Sequence, residues 1–190
     1  MYKRLNIHKI YFTNREFIKS FLVALAFLAV SLVVNFYAGT YATRIASNPV
    51  TDIILSNIRA FNVDSIFVNG TIVFYLFLIG LCVLRPQRIP YIFKSLALFT
   101  IIRSASIILT HIGPSPSNPI IDSTVLLKFS FNGDLFFSGH TGVPFLMALI
   151  FWEHAYLRKI FITISVFFGI IVLAGHIHYS IDVFSAFFIT

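Results

Sequence analysis

The stretch FIKSFLVALAFLAVSLVVNFYA, residues 17–38, decides the fold class. It is almost wholly apolar, and about 20 such residues in a helix reach across the hydrocarbon of a bilayer. Comparable stretches follow at residues 65–84, 91–110, 139–152, 160–174 and 179–190. The whole chain agrees with its parts: of 190 residues 58% are hydrophobic, 17% aromatic and 11% charged, with 23 Phe and a mean hydropathy of +0.90. A water-soluble core of this size needs far less apolar surface. The expected fold is therefore all-α, a polytopic bundle of six transmembrane helices forming one domain over residues 1–190. The sixth stretch is only about 12 residues long at Thr190, short of a normal crossing, so its helix is expected to run on beyond that residue. The first stretch exceeds the roughly 7 to 15 residue core of a cleaved signal peptide and reads as an uncleaved anchor.

The net charge of +7 is sorted along the chain rather than gathered into a nucleic-acid patch. Lys3, Arg4, Lys9 and Arg15 precede the first stretch and Lys19 lies at its very start, Arg85, Arg88 and Lys94 follow the second, and Arg158 and Lys159 follow the fourth. Only Arg44, Arg59 and Lys128 lie in the alternate loops. Basic residues collect on the cytoplasmic side of membrane proteins. The N-terminus is thus expected in the cytoplasm, and residues 113–139 and 175–178 on the extracytoplasmic face. The long outer loop from Gly113-Pro114-Ser115-Pro116 onward is placed to cap a site. Cys82, the single cysteine, lies mid-span and can form no internal disulfide.

Two segments break the apolar pattern near the outer face: Gly133-Asp134-Leu135-Phe136-Phe137-Ser138-Gly139-His140-Thr141 and His176-Ile177-His178-Tyr179-Ser180-Ile181-Asp182-Val183. Ionisable groups at membrane depth are costly and ask for a function. His178 and Asp182 stand four apart, which on a helix places them on one face, the carboxylate orienting the imidazole. His140 comes from another helix, behind a Ser138-Gly139 pair suited to a tight bend and a helix cap. Two helix N-termini meeting at one surface would offer free N–H groups to a lipid phosphate. With one imidazole attacking phosphorus and the other handing a proton to the leaving alkoxide, such a site transfers phosphoryl groups with neither metal nor cofactor. Arg103, inside the third span, is the candidate cation for the developing charge, its side chain long enough to snorkel to the headgroup layer.

These two motifs, with Ile102-Arg103-Ser104-Ala105-Ser106-Ile107-Ile108-Leu109-Thr110 and the prolines Pro114 and Pro116, resemble the sphingomyelin synthase family of the lipid phosphate phosphatase superfamily, over roughly residues 98–190. The resemblance implies a six-span enzyme that moves a phosphocholine-like headgroup from a glycerophospholipid to a lipid alcohol such as ceramide or diacylglycerol. It implies His178 as nucleophile forming a phosphohistidine, Asp182 orienting it, and His140 as acid and then base. Arg103, Asp134, Ser138, Gly139 and Tyr179 are the candidate substrate-binding residues. Membrane lipids are the expected partners, and no nucleic acid. The superfamily's hydrolases run the same steps with water as acceptor. Lipid phosphatases carry a Lys-x6-Arg-Pro motif and a Ser-Arg pair before the second histidine. Here Arg85-Pro86 is present but Leu78 holds the lysine position and Ile171-Val172 the Ser-Arg positions, and Arg85 is expected on the opposite side.

Other readings compete. His140, His176, His178 and Asp182 have metal-ligand chemistry, although residues 176 and 178 share no helical face. A transporter would line a path with such groups, yet these cluster at one face. A capping and packing network is the bland alternative for His140, His178 and Asp182. His8, His111 and His154 read as structural loop or interfacial residues. Tyr179 suits an interfacial anchor as well as a site lining, and Asp134 a cap, a partner for His140 or a headgroup contact.

Overall fold

The computed structural model describes residues 10–115 and 136–190. Six helices are built from them: α1 (Arg15–Arg44), α2 (Asp64–Leu84), α3 (Ile89–Leu109), α4 (Gly139–Ile150), α5 (Ala155–Ala174) and α6 (Ser180–Ile189). No strand occurs among the described residues. Helices α1, α2, α3 and α5 are long and apolar enough to cross a membrane. Helices α4 and α6 are apolar but have 12 and 10 residues, which at 1.5 Å per residue is about 18 and 15 Å against a hydrocarbon core of about 30 Å.

Local chemistry sets the helix ends. Asn14 caps α1 by accepting from the N–H groups of Glu16 (2.9 Å) and Phe17 (3.4 Å). Pro86 and Pro90 frame the break between α2 and α3, where a single 3₁₀ turn, Pro86–Arg88, reverses the chain. Ser138 caps α4. Gly175 follows the last residue of α5, and nothing larger fits there: a Cβ would stand 2.4 Å from Cγ2 of Val63.

Packing follows membrane rules. Helix α1 lies mainly along α3 and presents Ala24, Ser31 and Ala38, seven residues apart, as a buried small-residue seam. The aromatic core lies between α2, α4 and α5, where Phe74, Phe161 and Phe168 meet edge-on and Phe151 stacks on Phe161 at 5.8 Å. Outward faces carry exposed Leu22, Val33, Val73, Leu76, Ile79 and Ile170, the surface a bilayer would cover. At one end of the bundle Arg85 meets His154, Arg88 donates to the Ile150 carbonyl (3.1 Å) and Arg158 stacks on Trp152. That is the end of α4 away from His140, as expected for Arg85.

Candidate active site

The site is assembled where the start of α4 meets the start of α6. Ser138, fully buried, accepts from the Thr141 N–H (3.4 Å) and hydroxyl (3.2 Å), and its own N–H donates to the Asp182 carbonyl (3.1 Å). That last bond stitches one histidine motif to the other. Helix α5 backs both: Ser165 donates to the Thr141 carbonyl at 2.7 Å, and Gly169 lets Val183 and Thr141 approach. His140, one residue into α4, lies against Phe67 of α2 at 4.4 Å and Phe168 of α5 at 6.1 Å. It stands within electrostatic reach of both His178 and Arg103.

His178 is not on a helix, contrary to the expectation from its spacing to Asp182. Helix α5 stops at Ala174, the chain reverses through His176 at φ 53°, and α6 begins only at Ser180. The four-residue spacing therefore works across a helix cap. The Asp182 carboxylate, fully buried, folds back so that Oδ2 accepts the Tyr179 N–H (2.9 Å) and lies 3.5 Å from His178 Nδ1. This is electrostatic contact, wider than a hydrogen bond. Among the described residues His178 Nδ1 and Asp182 Oδ1 have no hydrogen-bond partner. Both groups are buried, and catalytic hydrogen bonds are often this long until substrate binds.

A second expectation needs correction. The N-terminus of α6 is not open to a phosphate, because protein carboxylates fill it: Asp182 takes the Tyr179 N–H, and Asp52 takes the Ser180 N–H (2.6 Å) and hydroxyl (2.8 Å). A cation, Arg103, stands instead at the start of α4. There Arg103 donates from Nε to the Phe137 carbonyl (2.8 Å) and from Nη1 to Asn35 Oδ1 (3.5 Å), and it lies so close over Gly139 that an added Cβ would stand 3.3 Å from its Nε. Beside it a small cleft opens between α2 and α4, lined by Thr71, Phe74, Tyr75, His140 and Val143.

Of the residues singled out from sequence, the fold brings His140, His178, Asp182, Arg103, Ser138 and Gly139 together. Tyr179 is buried with them, its hydroxyl donating to the Gly113 carbonyl (2.9 Å) and accepting from the Val50 N–H (3.3 Å). Asp134 and His8 lie outside the described residues. His111 is exposed with its ring against Tyr41, and His154 is at the opposite end of α4. Among the described residues no group of three or more His, Cys, Asp or Glu is arranged to hold a metal ion. Sequence reasoning missed Asp52 and Asn35. A polar residue in a span signals Asn35, but nothing local connects Asp52 with Ser180.

Residues 132–190 match the family model described as PAP2 superfamily C-terminal. The matched stretch contains both histidine motifs, and the similarity supports the phosphatase superfamily, whose activity is of the lipid phosphatase or phosphotransferase type. No curated protein and no solved structure gives a significant match.

Proposed function

We propose that this chain is a membrane phosphotransferase of the sphingomyelin synthase-like type, moving a phosphocholine-like headgroup from a glycerophospholipid to ceramide or diacylglycerol. The observation that supports it is the Ser138-to-Asp182 backbone bond, which joins the two motifs, with His140 within electrostatic reach of His178 and Arg103. In this reading Nδ1 of His178 faces Asp182, so Nε2 attacks phosphorus. The P–Nε2 bond forms as the bond to the diacylglycerol oxygen breaks, and protonated His140 gives its proton to that oxygen. In the second half His140 takes the proton of the acceptor hydroxyl, whose oxygen displaces His178 from phosphorus. Arg103 and the start of α4 offset the charge on the non-bridging oxygens. Asp182 stabilises the imidazolium and fixes its tautomer.

The six helices are read as six crossings, with the N-terminus cytoplasmic and the site extracytoplasmic, which follows from the sorted basic residues. The experiment supplies labelled phosphatidylcholine to the purified chain in lipid, with and without ceramide or diacylglycerol, beside a His178→Ala control. A labelled product lipid that needs the acceptor and is lost in the variant is expected. Soluble phosphocholine or phosphate released regardless of acceptor would make the chain a hydrolase, and indifference to His178→Ala would end the phosphohistidine route.

A further inference from the structure

The loop between α1 and α2, residues 45–63, closes over the turn that carries His178. Asp52 is its buried centre. Oδ1 accepts the N–H groups of Ile54 (2.8 Å) and Leu55 (3.1 Å), which shapes its own turn, while Oδ2 accepts the N–H (2.6 Å) and hydroxyl (2.8 Å) of Ser180, the first residue of α6. Burial by itself would raise the carboxyl's pKa, but the bonds from Ser180, Leu55 and Ile54 hold it below its ordinary 3.8, so the group is ionised at neutral pH.

Contacts on both sides complete the grip. Phe61 donates to the Ala174 carbonyl (2.9 Å) just before the turn, and Val50 donates to the Tyr179 hydroxyl (3.3 Å) just after it. Leu55 and Tyr179 form a small apolar cluster with Ile54, Ile112 and Leu173. His178 itself is weakly held: its N–H reaches the Val172 carbonyl at 3.4 Å, and its Nδ1 is 3.5 Å from Asp182. The place of the imidazole is therefore set by the backbone of the turn, and the loop sets that backbone.

We infer that Asp52 is a positioning residue for His178, acting through Ser180 to fix the start of α6 and so the approach of the His178 imidazole to Asp182 and to phosphorus. The inference rests on the reading of His178 as the attacking group. A cap that served stability alone would leave the folded fraction fully active.

The test uses the full chain in phosphatidylcholine bilayers, with Asp52→Asn, Asp52→Glu and Ser180→Ala. Donor turnover is measured together with the rate at which diethyl pyrocarbonate acylates His178, followed by mass spectrometry. For Asp52→Asn the expected result is a kcat lower by about ten- to a hundredfold with KM within about twofold, as for a misplaced catalytic group. His178, buried in the parent, should be acylated several-fold faster. Asp52→Glu should recover part of both, and Ser180→Ala should change both in the same direction but less. The inference is overturned if folded Asp52→Asn keeps the parent's kcat, if its loss lies in KM, or if His178 is acylated at the parent's rate. Should Asp52→Asn fail to fold, the same readings on Ser180→Ala decide. If the parent turns over no lipid, the phosphotransfer reading fails, and the acylation rates alone decide whether Asp52 places His178.

Discussion

Gly142 lies in α4 between the site and Phe99 of α3, and replacing it with alanine puts a methyl group 2.7 Å from Cε2 and Cζ of Phe99 and 3.2 Å from Thr190 Oγ1. Carbon atoms rest about 3.5 to 4.0 Å apart, so the ring must withdraw by about 0.8 Å or more. Phe99 is nearly buried and meets the fully buried Phe137 edge-on at 5.4 Å, so the strain passes to the residue whose carbonyl holds Arg103. Overpacking of this kind costs about 1–3 kcal/mol, offset by up to about 1 kcal/mol from alanine's better helix propensity. With the full offset the net expectation is a loss of up to about 2 kcal/mol, centred near about 1 kcal/mol, with weaker donor turnover. Two glycines supply internal controls: a Cβ on Gly80 meets nothing within 4 Å, and one on Gly70 makes ordinary contact with Phe168 at 3.5 Å. Thermal unfolding in lipid or detergent should therefore rank Gly80→Ala and Gly70→Ala at or above the parent and Gly142→Ala below it. A Gly142→Ala protein as stable and active as Gly80→Ala would refute the reasoning.

Three further outcomes are expected. Arg103→Lys keeps the charge but loses the planar Nε–H that reaches the Phe137 carbonyl, and kcat/KM for the donor should fall about tenfold; parent-like turnover would show that charge alone suffices. His176→Gly and His176→Ala remove the same imidazole, but only alanine keeps the left-handed penalty at φ 53°, so the glycine variant should unfold at the higher temperature, by about 1 kcal/mol of stability. Because the folded pKa of Asp52 lies below 3.8, the stability it adds is present above that value and is lost as pH falls through the lower one. The stability gap between the parent and Asp52→Asn should stay level from about pH 8 to about pH 5 and shrink below about pH 4; a gap that closes as pH rises would contradict it.

Much of this was legible in the chain because it depends on near neighbours. A helix needs its own apolar residues to enter a membrane, so residues 65–84 and 91–110 mark α2 and α3 within two positions, and residues 17–38 mark α1, which runs on to Arg44. Ser138 reads as a cap because its partner, the Thr141 N–H, is three residues on. The histidine motifs stand out because titratable groups are scarce in apolar sequence.

Tertiary structure decided what those groups do to one another. Spacing alone put His178 and Asp182 on a helical face, but the reversal at His176 delays α6 until Ser180 and turns the pair into a contact across a cap. Spacing could not show that Asp52, far back in the chain, fills the start of α6, or that Arg103 lies over the start of α4. Sequence by itself determined which segments are apolar and where ionisable residues interrupt them, since both follow from the side chains and their immediate neighbours. Only the fold decided which donor meets which acceptor, because the Ser138–Asp182 and Asp52–Ser180 bonds exist only once distant segments are packed within 3 Å or so of each other.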